Sequence, residues 1–325
     1  MKSPQEAEPK PFYWIPLKTP PRKETPTFHD SFQHLSGRME LETEVLSDYL
    51  YVGSGAILLD SQKGAYYAFS RRSDQLVIPG TGIKGPVRSI VEAISNSCVS
   101  QIGRRGEKRK WKTCADFQPA PETGAQLCPA CRLFGTTGYR GRVSFTDAVP
   151  AGLVQSKIVK IADLWPPHPS ERRKFYEAKA FREPENQKPE RNHRFLEAVP
   201  KGAGFATTLF FENADVAEMG LMLRALGLDR HPEQPENVVY AFPVKIGGAK
   251  PRCLGAVRFH PKRISLLPTV GEGLFRALAQ GGETRSLKPT LLEWLQNETL
   301  LDQEAWRQFR QQAKQQQEPC PKDLY

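Results

Sequence analysis

From Leu76 to Ile94 the chain passes through a short apolar run, Pro79, three glycines at positions 80, 82 and 85, Pro86 and then a long apolar stripe. Few folds accommodate that punctuation. Leu76 to Ile78 reads as the end of a strand, the glycines as a loop, and Pro86 as the first residue of a helix, where a missing N–H costs nothing. Within that helix Val87, Ile90, Val91 and Ile94 recur at i, i+3, i+4 and i+7, one stripe facing a sheet. A loop of Gly80, Gly82 and Gly85 lets a ligand approach the backbone without meeting a Cβ, and the first amides of the helix offer unpaired donors at a positive dipole end. Lys84 and Arg88 add mobile positive charge, so the stretch suits an anion, above all a phosphate. The same glycines also satisfy the G-x-G-x-x-G spacing of a dinucleotide-dependent enzyme, which needs an acidic residue at the end of a second strand about 20 positions on. That region, Gly103 to Lys112, is basic and broken by glycine. A polyanion site is therefore favoured, with the dinucleotide enzyme and a purely structural strand-to-helix turn as the alternatives.

The charge of the whole chain agrees. There are 46 Lys and Arg against 36 Asp and Glu in 325 residues, a net charge of +10, which favours nucleic acid or another polyanion as partner over a neutral one. Six of the nine residues from Arg104 to Lys112 are basic and surround Trp111, the combination that phosphate contact and base stacking together require. No apolar run approaches the length of a membrane span, and Met1 to Pro11 lacks the apolar core of a secretory signal, so no membrane partner and a cytoplasmic location are expected.

In such a compartment six cysteines point to metal rather than to disulfides. Cys98, Cys114, Cys128 and Cys131 are close together, and the last pair has the C-x-x-C spacing that lets two thiolates reach one tetrahedral ion. Four soft thiolates select zinc, and a site with no open position folds a loop rather than catalysing. Cys98 alternatively continues the apolar face of the preceding helix. Cys253 and Cys320 stand apart and read as ordinary residues.

Residues 1–36 are rich in proline and charge and read as an extended arm around the apolar island Phe12 to Ile15. Residues 37–265 form the folded domain. It opens on a strand in which Met39, Leu41, Thr43 and Val45 alternate with charged residues, and it carries a zinc-loop insertion (98–131) and a basic, aromatic-rich thumb or arm (155–200). From Lys157 to Arg194 that arm holds ten Lys or Arg against six Asp or Glu. A strand at Phe205 to Phe211, a helix at Asp215 to Leu226 stopped by Gly227, and a strand candidate at Val238 to Val244 lead to a second glycine loop with Gly247, Gly248, Lys250 and Arg252. Residues 266–325 read as a helical extension ending in a fraying glutamine-rich stretch. Strand, helix and strand thus occur twice. The fold class is α+β, an RRM-like or ferredoxin-like antiparallel sheet with its helices on one face; the other face stays open, as in folds that meet single-stranded RNA.

Ile78-Pro79-Gly80-Thr81-Gly82-Ile83-Lys84-Gly85 followed by Arg88 resembles the I-P-G-S-S-x-K-G-x-x-R signature of the RAMP superfamily, the backbone proteins of type III CRISPR effector complexes. Gly53-Ser54-Gly55 resembles that family's glycine turn after its first strand. Leu133-Phe134-Gly135 with Arg142 to Ala148 resembles its L-F-G and R-V-x-F-x-D-A segments, and Ile246 to Phe259 its C-terminal glycine loop. Thr81 and Gly82 replace serines of the signature, and Pro251 and Cys253 stand where arginine and glycine are usual. The resemblance implies a subunit that stacks beside other RAMP-family subunits along a guide RNA, with a thumb that parts guide from target RNA. It assigns guide-phosphate contacts to Lys84 and Arg88 with the amides around Gly80, Gly82 and Gly85, and further contacts to Gly53, Ser54, Gly55, Gly247, Gly248, Lys250 and Arg252. Some members cleave the target with a loop aspartate and Mg2+ or Mn2+. Asp60 occupies the corresponding loop here, with Asp74 as its rival; a solvated loop acid is the alternative for both.

Overall fold

The computed structural model describes residues 8, 10–16, 18, 20–30, 32–99, 114, 126–164, 173–268 and 282–321; the basic run at 104–112 and Trp165 lie outside these. The first element, β1 (Phe12–Ile15), belongs to the N-terminal arm, and the first long strand is β2 (Leu35–Val45). In β2 the expected alternation holds, with Met39, Leu41, Thr43 and Val45 buried. Two strands then form a hairpin, β3 (Gly53–Asp60) and β4 (Gly64–Phe69).

Helix α1 spans Gly80–Ile94, so it opens at Gly80 and not at Pro86. The three glycines form its first turns. Two contacts make the early start possible. Asp147 accepts the Gly80 N–H at 2.9 Å and so caps the helix from a distant segment. Gly80 also lies flush against β-backbone, since a Cβ there would sit 2.1 Å from the Phe145 carbonyl oxygen. Pro86 is thereby left inside the helix, where its missing N–H deprives the Gly82 carbonyl of its helical donor.

Beyond the cysteine segment come α2 (Pro129–Phe134), β5 (Val143–Phe145), β6 (Lys157–Ala162), β7 (Arg173–Tyr176) and β8 (His193–Pro200). The second half of the domain is β9 (Gly204–Ala214), α3 (Val216–Ala225) and β10 (Ala256–Leu267). Asp215 and Glu218 form a capping box at the start of α3, and Gly227 follows its end at φ +85°. Glu218 is fully buried between Arg132 and Arg142, which ties α3 to α2 and to the edge of the sheet. Removing one partner of such a group would cost about 3–5 kcal/mol. The chain closes with α4 (Leu287–Gln296), α5 (Gln303–Gln312) and β11 (Gln315–Pro319).

The main sheet has the order β5-β9-β2-β10, every pairing antiparallel, with Val244–Lys245 added beyond β10. Numbered along the βαββαβ path this is the order 2-3-1-4 of a ferredoxin-like unit. The buried stripes of α1 and α3 share one core with the inner residues of β2, β9 and β10. The outer face of β2 is not an open RNA platform along its length: Glu40, Glu42 and Glu44 pair with Arg263, Lys262 and His260. A second sheet, β6-β8-β4-β3, contains the parallel pair β8 and β4.

Within the arm expected from Lys157 to Arg194, β6 and β8 pair with each other, and β7 pairs with β1, where Tyr13 and Ile15 are buried. Two expectations change. The glutamine-rich tail does not fray, because β11 runs parallel to Ala178–Ala180. Cys253 and Cys320 are not ordinary residues but a disulfide that anchors this tail, 67 positions apart in sequence; their separation concealed a pairing made only when the tail folds back. No helix of the described residues is long and apolar enough to cross a membrane.

Candidate nucleic-acid interface

Along its outer surface α1 presents a ridge on which almost nothing projects. Neither Gly82 nor Gly85 has a heavy atom within 4 Å of where a Cβ would lie, unlike Gly80. The fold therefore requires one of the three glycines, and the other two leave room for a ligand.

Beside this ridge lies a cavity of about 330 Å³ bounded by Gly85, Arg88, Lys174, Lys245 and Lys250, with aromatic walls that include Tyr13 and Phe309. The ammonium of Lys245 is enclosed and has no hydrogen-bond partner. Burial, and then the nearby charge of Lys250, push its pKa down to about 7; burial pushes Lys250 down to about 8. No described carboxylate forms an ion pair with either. Lys174 projects from β7 over the rings of Phe12 and Trp14, at 4.4 and 5.2 Å from their centroids. A cavity with two such lysines and no counter-ion for either among the described residues suits an anion, whose arrival offsets their mutual repulsion. Lys84 leaves α1 on its other flank, toward a second cleft.

Sequence reasoning brought Gly85, Arg88 and Lys250 to this place and missed Lys245 and Lys174. Lys245 immediately precedes the second glycine loop, and Lys174 sits in the cation–aromatic run Arg173 to Tyr176; those were the available signals. Arg88 is committed inside the fold, donating to Glu92 at 2.8 Å, to the Gly135 carbonyl at 2.9 Å and to Cys131 Sγ at 3.4 Å. Arg252 is likewise buried, donating to the carbonyls of Ala162 and Asp163. Gly247 and Gly248 lie flush on Tyr51, at 2.2 and 2.9 Å from their would-be Cβ atoms.

Gly53 and Gly55 begin strand β3 instead of forming a turn, and Ser54 donates to the Ala68 carbonyl across the hairpin. At its far end Asp60 accepts the N–H groups of Gln62 and Lys63 at 2.9 and 2.8 Å, and these bonds, Lys63 first, hold its carboxyl below the usual range. Asp74 sits at φ +64° in the tight turn between Arg72 and Gln75. The structure gives both acids turn roles and does not join them with the basic cavity.

Cys98, Cys114, Cys128 and Cys131 do come together: their sulfurs lie within 4.8 Å of one another, all buried, and Cys98 is 3.5 Å from Cys128 and 3.6 Å from Cys131. Hydrogen bonds led by that from Cys114 hold Cys128 well below the ordinary thiol range. Separations of this size fit four thiolates around one tetrahedral ion. The cluster can hold a metal such as zinc, and it links the end of α1 to α2.

A family model for the RAMP superfamily matches residues 43–258, more than half of the chain. The chain belongs to the RAMP superfamily. No curated protein sequence matches it. RAMP proteins are CRISPR-associated, bind RNA and generally work with other subunits of their complexes. The RAMP signature residues also acquire physical roles: Asp147 caps α1, Arg142 anchors α3, and Gly80 makes the close approach between α1 and β5. The dinucleotide-enzyme alternative loses its ground, because Gly80, Gly82 and Gly85 lie within a helix and the sheet beside them is antiparallel.

Proposed function

We propose that this RAMP protein is an RNA-binding backbone subunit of a type III CRISPR effector complex and holds the guide RNA backbone over the glycine ridge of α1. The observation that carries the proposal is the pair Lys245 and Lys250, enclosed, without counter-ions, beside a helix surface cleared of side chains at Gly82 and Gly85. In this reading phosphates enter the cavity, Lys174 supports them from β7, and the protein reads backbone rather than bases. Arg88 acts indirectly, by fixing α1 against the cysteine cluster. The four thiolates would hold a structural zinc, which supplies no chemistry to the RNA and keeps α1 and α2 in register. Target RNA and neighbouring RAMP-family subunits complete the assembly.

The test is filter binding of single-stranded RNA to the full chain over a salt series. Lys245→Met with Lys250→Met should weaken binding and reduce the slope of log K against log salt by about 1.4, at about 0.7 per lost contact. An unchanged slope would overturn the proposal. Target cleavage is a separate question, posed by the second carboxylate oxygen of Asp60, which takes no part in the two turn bonds. Asp60→Asn keeps the turn acceptor and removes the charge, so a cleaving Asp60 predicts loss of metal-dependent cleavage by the assembled complex with the subunit still incorporated. Asp74→Asn serves as its rival in the same assay.

A further inference from the structure

On the other flank of α1 a second cavity, of about 520 Å³, opens above the rim of the sheet where β5 is only three residues long. Arg38, Lys84, Ser144, Phe32 and Phe210 line it. Phe32 and Phe210 are 47% and 43% exposed, and two large rings left in water within one cleft are an unfavourable arrangement unless something covers them. Two of the cations around them, Arg38 and Lys84, have no ion pair among the described residues. Arg38 Nε is sealed from solvent without a partner, and Lys84 forms no ion pair or hydrogen bond among the described residues. Burial, and then the charge of Arg88, lower the Lys84 pKa. Glu212 is the only carboxylate among the described lining residues, and Arg140 and His29 already occupy it. The cleft thus offers aromatic faces, a free hydroxyl at Ser144 and two uncompensated positive charges.

We propose that this cleft is a nucleobase site for single-stranded RNA, in which a base stacks on Phe210, Arg38 and Ser144 offer groups to its edge, and Lys84 holds the adjoining phosphate. The proposal rests on the reading of RNA as the ligand, but it uses residues of the opposite flank of α1. A strand crossing the ridge at Gly82 and Gly85 then leaves phosphates on one side and turns a base into the cleft on the other. Stacking on Phe210 is tolerant of sequence, because every base has a π-face. The volume lies within the 300–1,000 Å³ range in which ligand pockets commonly fall.

The experiment uses the full chain with oligouridylate carrying 4-thiouridine, irradiated and analysed by peptide mass spectrometry, alongside affinity measurements on variants. The expected crosslink falls on the peptide containing Phe210. Phe210→Ala should abolish it and weaken binding about tenfold, Phe210→Trp should restore both, Arg38→Gln should weaken binding through the lost base-edge contact, and Lys84→Met should lower the salt slope by about 0.7. Because Phe210 lies on the solvent side of β9, its truncation leaves the core intact, and circular dichroism checks this. RNA binding that is normal in Phe210→Ala and Arg38→Gln, yet still weakened by Lys245→Met with Lys250→Met, would overturn this inference and leave the guide-backbone reading standing. Unaltered protein that binds no RNA at low salt would overturn both.

Discussion

Gly82→Ala with Gly85→Ala separates the two reasons a helix can contain glycine. Both positions lie within α1, and an added Cβ at either meets nothing within 4 Å. Ala exceeds Gly in a helix interior by about 0.8–1.0 kcal/mol, and also narrows the unfolded ensemble. Gly85 directly precedes Pro86, whose ring crowds a preceding Cβ in the helical conformation and offsets its gain, so Gly82 should contribute most of the effect, for a sum of about 1 kcal/mol. In a chain of this size the thermal midpoint should rise by about 1–2 °C, with Gly80→Ala as the opposite control because its Cβ would meet the Phe145 carbonyl. The same double substitution places two methyl groups where an RNA backbone would lie. Loss of one charge-assisted contact corresponds to about 1.5 kcal/mol, roughly tenfold in affinity. Differential scanning fluorimetry and filter binding on one preparation read both quantities. A protein that is more stable and binds RNA equally well would refute the ridge as an RNA surface, and a less stable Gly82→Ala single variant would refute the open-space argument.

Other outcomes follow from the cations, the cysteines and the tail. RNA affinity should rise as pH falls from about 9 to 6, because Lys250 and then Lys245 gain the charge that attracts phosphate; affinity measured across that range checks it. The free protein should show the reverse in stability. Both lysines have folded pKa values below 10.5, so the unfolded chain binds more protons from about pH 7 to 10.5, and stability rises with pH through that window and falls as pH drops. Elemental analysis should find one zinc per chain, and a chelator that removes it should lower the thermal midpoint. Reduction of Cys253–Cys320 should lower stability in urea titrations by about 2–4 kcal/mol and expose the tail around β11 to protease.

Patterns carried by neighbouring residues were legible in the chain. The alternation in β2, the stripe Val87, Ile90, Val91 and Ile94, and the Gly227 stop all found their elements, because period and helix termination depend on residues a few positions apart. The cysteine cluster was legible because thiolates at such spacing have few other uses. What escaped depends on partners remote in sequence. Asp147 supplies the cap that lets α1 begin six residues before Pro86. The arm and the tail gain structure only by pairing with β1 and with each other's strands. Lys245 reads as an ordinary strand lysine until the fold encloses it, and Arg88 reads as free until its three acceptors surround it.

The glutamates of β2 give the sheet a polarity along its length. Glu40, Glu42 and Glu44 form a row in which each acid is paired with a residue of β10, and the row stops where Arg38 turns toward the cleft of Phe210. Arg258 adds a further cation 3.9 Å from Glu44, so that stretch of the face carries its charge in matched pairs and offers a polyanion little net attraction. Arg38, Lys84, Lys245 and Lys250, which have no ion pair among the described residues, all border α1 instead. On the proposed reading, an RNA strand would be drawn to that helix because the charges of the neighbouring sheet face already answer one another.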